Sequence, residues 1–202
     1  MTRTTVYSAG LVALVAATIM TLTSIGNPKW VSYTVTAPSG DTVYDTIGLQ
    51  RRCTSSTGTC VPFPDEGRCA NSDDLSSFCS MWRTAGFLMN FAVVLELATL
   101  VGFLIIMAGG KISRQSGWKV LGGLLVILAA VEFAGMGVVT YLFDHDDFFL
   151  VPGYKLDSSY YLCAFSAGFG LLAACGLAIS AFVLPPEDGY QVLGDSSGRV
   201  QV

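Results

Sequence analysis

Apolar residues gather into four long blocks, Val6–Ile25, Thr84–Ala108, Trp118–Phe143 and Tyr160–Leu184. At 1.5 Å per residue each is long enough to cross about 30 Å of hydrocarbon as a helix. The intervening stretches follow another rhythm. Trp30–Ala37 (WVSYTVTA) alternates bulky or β-branched residues with polar ones and predicts a strand. Pro38-Ser39-Gly40-Asp41 is a turn cluster, and Val43–Cys53 is a second candidate strand. Thr57-Gly58 supplies turn chemistry before Cys60, so Cys53 and Cys60 can face each other across a hairpin. Closing so short a loop stabilises by about 2.5 kcal/mol in the chain-entropy model. The pattern predicts a mainly α membrane protein: one four-span domain over residues 1–184, with a small β module between the first two spans. Pro185-Pro186 ends the last helix, and the polar remainder to Val202 reads as a flexible tail.

Composition agrees. Hydrophobic residues make up 52% of the chain and charged residues 13%, too apolar a balance for a soluble domain. The formal charge of −4, with no basic patch, argues against a nucleic-acid partner. A cleaved leader is the alternative for the first block, but its apolar run exceeds the usual signal core of about 7–15 residues.

Orientation is read from charge and cysteine. Gly109–Gly117 carries Lys111 and Arg114 without an acid, as expected of a cytoplasmic turn. The loop Asp144–Ser159 holds Asp144, Asp146, Asp147 and Asp157 against Lys155. Four of the six cysteines (Cys53, Cys60, Cys69 and Cys79) lie in the first loop, and disulfides persist outside the cytosol. Both termini are therefore expected in the cytoplasm. The four loop cysteines allow three connectivities.

Trp30, Gly48-Leu49, Cys53 and Cys60 resemble the first-loop signature of claudins and the wider claudin and peripheral-myelin-protein superfamily. In the second loop, Asp147-Phe148-Phe149-Leu150-Val151-Pro152, Lys155 and Tyr161 are similar to the claudin run of aromatic pair, proline, basic residue and tyrosine. Arg83, at the mouth of the second span, matches the arginine carried there. The resemblance covers four spans and both loops, and implies a left-handed four-helix bundle topped by a small extracellular antiparallel sheet, one strand coming from the second loop. Three departures point to a distant relative, such as the claudin-like plasma-membrane proteins of fungi. Gln50 stands where a Trp is expected, Cys69 and Cys79 form an additional pair, and no cysteine pair for palmitoylation follows the second or fourth span. Neighbouring pairing, Cys53 with Cys60 and Cys69 with Cys79, is the favoured connectivity. A tetraspanin would carry its cysteine-rich loop between the last two spans.

Within the spans, Glu96 and Glu132 fall near mid-membrane, at depths about 5 Å apart by rise per residue. The second span tolerates its acid: a central carboxylate costs ~3 kcal/mol, while its roughly thirteen Leu, Ile, Phe and Val residues each return ~0.3–0.6. Two acids at one depth are candidates to share a proton or bind a cation. The favoured reading is a protonated Glu hydrogen-bonded across a helix interface, to Asn90 or Thr99. Small residues recur every fourth position at Ala9, Ala13, Ala17 and Thr21 and at Ser166, Gly170, Ala174 and Ala178, which reads as close packing within the bundle ahead of self-association. Cys163 and Cys175, twelve apart, are small packing residues and not a redox pair. Trp82 and Trp118 fit an interfacial aromatic belt.

Asp144-His145-Asp146-Asp147 is a weak candidate for a divalent cation, with a solvated rim favoured, since Ca²⁺ takes six to eight oxygens. Arg51-Arg52 reads as a solvated basic pair. A tyrosine sorting pattern at Tyr190 and a contact of Val202 with a PDZ-type groove rest on short, common motifs. No nucleophile elbow, phosphate loop, metal-ligand spacing or cofactor motif appears, so an enzyme is not expected. The expected function is non-catalytic: lateral association in the plasma membrane with copies of itself or other membrane proteins, and extracellular contacts. The alternatives are an auxiliary subunit of a channel or transporter and, behind it, ion or proton conduction through Glu96 and Glu132.

Overall fold

The computed structural model describes residues 3–36, 42–71, 73–146, 148–149 and 153–183. Its elements in chain order are α1 (Arg3–Gly26), β1 (Val31–Thr36), β2 (Thr42–Ile47), β3 (Arg51–Thr54), β4 (Thr59–Pro62), α2 (Glu66–Asn71), α3 (Asp73–Ala108), α4 (Gly110–His145), β5 (Tyr154–Leu156) and α5 (Ser158–Val183). Four helices are long and apolar enough to cross a membrane, over Thr4–Gly26, Leu75–Ala108, Ser116–His145 and Ser158–Val183. This is the architecture of a multi-pass membrane protein, mainly helical, with one small antiparallel sheet.

The helices form a closed ring in which α1 packs on α3 and α5, and α4 packs on α3 and α5. The fourfold-spaced small residues explain the α1–α5 contact. Ala17, Thr21, Ser166, Gly170 and Ala174 are buried, although Ala9, at the start of that series, is exposed. Without side-chain bulk the two backbones close on one another, which is how helices associate where lipid is as apolar as leucine.

Two helices run further than their apolar blocks. α3 has 36 residues and is about 54 Å long, well beyond a hydrocarbon core of about 30 Å. Its first turns, ahead of Thr84, stand above the bundle and bury Phe78, Cys79 and Trp82. The expected loop Gly109–Gly117 is helical apart from Gly109, because α4 begins at Gly110. The side chains of Lys111 and Arg114 lie outside the described residues, as do Asp147, Leu150, Val151, Pro152 and everything from Leu184 onward.

The sheet has the order β4-β3-β2-β1-β5, all pairs antiparallel. The expected strand Val43–Cys53 is two strands, divided where the chain reverses at Gly48-Leu49-Gln50. The Gly48 amide donates to the Arg51 carbonyl at 2.7 Å, closing that reversal. A Cβ on Gly48 would meet Pro28 Cα at 2.5 Å, so only glycine fits where the loop presses against the α1–β1 link. Register places Cys53 opposite Cys60, and the two are bonded; Cys69 and Cys79 are bonded in turn, tying α2 to α3.

The apolar interior has two parts. An upper cluster joins the sheet to the helix tops through Trp30, Val31, Ile47, Leu49, Phe78, Trp82, Met89, Met136 and Phe149. A lower one, around Tyr7, Leu14, Phe103, Leu121, Leu125 and Leu177, fills the opposite half of the bundle. Gly48→Ala is expected to lower stability by about 1–3 kcal/mol, since the obstacle is backbone that cannot rotate away. Thermal unfolding in mild detergent measures it; an unchanged midpoint would contradict the packing at Pro28.

Candidate functional site

Two regions concentrate the polar and aromatic chemistry: the seat of the sheet on the bundle, and a polar junction inside the bundle.

At the seat, Trp30 is fully buried between α1 and β1. Its Nε1 donates to the Ser24 carbonyl at 2.9 Å, and its ring meets Tyr160 edge-on at 6.1 Å. Its backbone amide donates to the Ile47 carbonyl and its carbonyl accepts from the Asp157 amide. Ser159 continues the seam: its amide donates to the Lys29 carbonyl and its hydroxyl to that of Asn27, while Ser24 Oγ donates to the Ser159 carbonyl. Leu49 is buried in the same core, beside Ile47.

Trp82 does not sit in an interfacial belt. It is fully buried, stacked on Phe78 and flanked by Phe63 and Phe149. Phe148 and Phe149 enter this aromatic cluster from the α4–β5 connection. Trp118 does suit a span end, half-buried against Phe182 with Lys119 over its ring.

Arg51 and Arg52 part company. Arg51 is exposed, but Arg52 is partly buried and grips Asp45 across β2 and β3 in an ion pair. Thr54 Oγ1 donates to Asp45 Oδ1 at 3.1 Å, and the Arg52 guanidinium lies 5.8 Å from the centre of the Phe148 ring. The bond to Asp45 raises the Arg52 pKa above its ordinary value, and burial raises that of Tyr154 nearby. Arg52 is thus a strut between the sheet and the α4–β5 connection. Arg83 is exposed and only 3.8 Å from the exposed Glu66, a surface pair worth little. In the acidic segment, His145 stacks on Tyr141 and Asp146 Oδ1 accepts from the Phe148 amide. Among the described residues no three His, Cys, Asp or Glu side chains converge as metal ligands would.

The outward parts of the sheet are apolar in places. Val35 and Val43 pair near the β1–β2 tip, Tyr44 follows, and Val61 lies on the edge strand β4; all four are exposed. Beside β4 an open groove of about 830 Å³ is lined by Leu49, Gln50, Val61, Phe63, Arg83 and Phe87, among others.

Inside the bundle, four residues from four helices meet: Thr21 of α1, Glu96 of α3, Glu132 of α4 and Ser166 of α5. All are buried. Thr21 Oγ1 lies 2.9 Å from Oε1 of Glu96, 2.9 Å from Oε1 of Glu132 and 2.7 Å from Ser166 Oγ. The acids therefore sit at one level, less than twice that distance apart. Their partners are not those expected: Asn90 is exposed and donates to the Gly86 carbonyl, and Thr99 donates to that of Leu95. Thr21 and Ser166 belong in sequence to two series of small packing residues, and spacing along one helix does not show that they meet. Cys163 is buried with its Sγ 3.9 Å from Met89 Sδ, and Cys175 is exposed; neither is bonded.

No family model and no curated protein matches the chain.

Two outcomes follow from these sites. Arg52→Ala is expected to cost about 2 kcal/mol by leaving the buried Asp45 carboxylate without its charged partner. Asp45→Ala in the same chain should recover part of that loss, as a double-mutant cycle by thermal unfolding will show. Thr21→Val keeps the shape but removes the shared hydroxyl, and is expected to cost about 1–3 kcal/mol; a neutral result would mean that the junction adds nothing to stability.

Proposed function

We propose that this is a non-catalytic plasma-membrane protein, a divergent relative of the claudin and peripheral-myelin-protein superfamily, that acts by association. In this reading the sheet faces outside the cell, the bundle is left-handed and both termini are cytoplasmic. The bundle packs laterally with copies of itself, while the sheet meets partners on an apposed cell or in the surrounding matrix.

The observation that carries the reading is the sheet itself. It draws strands from the α1–α3 and α4–α5 connections, is stapled by Cys53–Cys60 and rests on a buried aromatic seat, yet presents Val35, Val43, Tyr44 and Val61 outward. Exposed valines and a tyrosine on a rigid frame suit recognition, because little ordering entropy is lost on binding. Disulfide chemistry supports an exterior position, since such bonds persist in oxidising compartments. The Trp30, Gly48 and Leu49 positions add to the resemblance: their burial and the obligate glycine give that signature a structural purpose here.

The groove beside β4 favours a second reading, an auxiliary subunit whose partner helix lies along Phe87 and over Gln50. Where the resemblance expects a Trp, the exposed Gln50 leaves this flank open.

Cross-linking of the intact protein in cells separates the two. Self-association predicts a ladder of homo-oligomers within one membrane; Tyr44→Asp, on the sheet, is expected to leave that ladder in place and to weaken adhesion between cells by tenfold or so without lowering expression. A single stoichiometric pore-forming partner recovered in mild detergent would favour the auxiliary role. A monomer that diffuses freely and recruits nothing would refute both.

A further inference from the structure

The polar junction has too few hydrogens for its oxygens. Thr21 Oγ1 and Ser166 Oγ lie 2.7 Å apart. Around them stand the Ala17 carbonyl, at 3.2 Å from Thr21 and 3.1 Å from Ser166, and Oε1 of both acids. Thr21 reaches each Oε1 at 2.9 Å; Ser166 reaches that of Glu132 at 3.1 Å and that of Glu96 at 3.4 Å. Each hydroxyl supplies one hydrogen, and ionised carboxylates supply none. The Ala17 carbonyl already accepts the Thr21 amide within α1. Joining the remaining four oxygens takes at least three hydrogens where the hydroxyls supply two, and the shortfall is worse when two of those oxygens carry like charge.

Charge gives the same answer. Glu96 is fully buried and its second oxygen, Oε2, has no hydrogen-bond partner. A buried carboxylate with an unpartnered oxygen and a second carboxylate beside it is among the most costly arrangements in an apolar medium. Among the described residues no counter-ion stands near: Lys29, past the end of α1, is exposed and eight residues beyond Thr21, about 12 Å by helical rise. Arg83 precedes Glu96 by 13 residues, and Lys119 and His145 flank Glu132 at the same separation, each about 20 Å along its helix. The other titratable side chains within about two turns are Cys163, Tyr160 and Tyr161, all on α5; α1, α3 and α4 contribute none. Nor do the separations suit a metal. Oxygens 2.7–2.9 Å apart are at hydrogen-bond length, joined by hydrogens and not held apart by a cation between them.

We propose that the junction is a proton-binding site. Glu96 and Glu132 hold at least one proton between them at neutral pH, and that proton closes α1 onto α3, α4 and α5. Its loss leaves two facing carboxylates, whose repulsion loosens the packing of the bundle around Thr21. The site goes beyond the association proposed above and does not depend on it.

Dicyclohexylcarbodiimide, a lipid-soluble reagent for protonated carboxyls, tests this on the full chain in mild detergent. The acid proton passes to a carbodiimide nitrogen as the carboxyl oxygen bonds to the central carbon. Migration of the acyl group from oxygen to nitrogen then leaves a stable N-acylurea, with nothing lost. Peptide mass spectrometry is expected to find one added carbodiimide at Glu96 or Glu132 at neutral pH, falling severalfold as the solution is made alkaline. Absence of label at neutral pH would overturn the proposal. So would label abolished by Na⁺ or Ca²⁺ at constant pH, which would make this a metal-ion site.

A second measurement needs no reagent. Stability carried by a bound proton is present at low pH and lost as pH rises. The unmodified chain should therefore melt at progressively lower temperature on the alkaline side. The double variant Glu96→Gln with Glu132→Gln, which brings its own amide hydrogens, should keep the neutral-pH midpoint and lose that decline. An alkaline decline equal in both proteins would count against the site.

Discussion

Everything above the bundle is oriented through one indole. Trp30 is held by its ring nitrogen to the last turn of α1, by its ring edge to Tyr160 of α5, by its amide to β2 and by its carbonyl to the β5–α5 corner. Four separately folded pieces of chain are thereby fixed at one buried residue. The polar groups of the turn are satisfied internally, as they must be at the edge of a lipid phase. Gly48 completes the arrangement by letting the β2–β3 reversal come down onto Pro28.

Long-range order in this chain was easier to read than its junctions. Four spans and a strand-bearing first connection follow directly from hydropathy and alternation, because lipid leaves helices few alternatives. The upper part of α3 was missed because Asp73–Arg83 is not apolar enough to resemble a span. Its signal was periodic: Leu75, Phe78, Cys79 and Trp82 fall on one helical face, the face that the aromatic cluster covers. The break between β2 and β3 was hidden because Val43–Cys53 keeps strand-like composition through Gly48. Only the close approach of Pro28 shows why the chain turns there.

Pairing across the bundle was the least legible part. Glu96 and Glu132 were recognised from their depth, but Thr21 and Ser166 were visible only as members of small-residue series. A hydroxyl on a packing face is silent in one dimension; it acquires a role when the ring of helices brings opposite members to the axis. Arg52 shows the same effect in the sheet. Its neighbour Arg51 is solvated, and strand alternation alone sends Arg52 to the side where Asp45 and Phe148 wait.

The length of α3 has a mechanical consequence. One uninterrupted rod carries lipid-facing residues such as Val94 and Val101 and, several turns earlier, the Phe78 and Trp82 rings that support the sheet. Its apolar part, Thr84–Ala108, is about 38 Å long, and an apolar stretch longer than the hydrocarbon thickness is accommodated by tilting. The sheet bears on the upper stretch of that rod through Phe63, next to the end of β4, whose ring meets Phe78 and Trp82 edge-on, while Cys69–Cys79 fastens the short helix α2 to the same stretch. A tilt of the bundle as one body would carry Tyr44 and its neighbours with it.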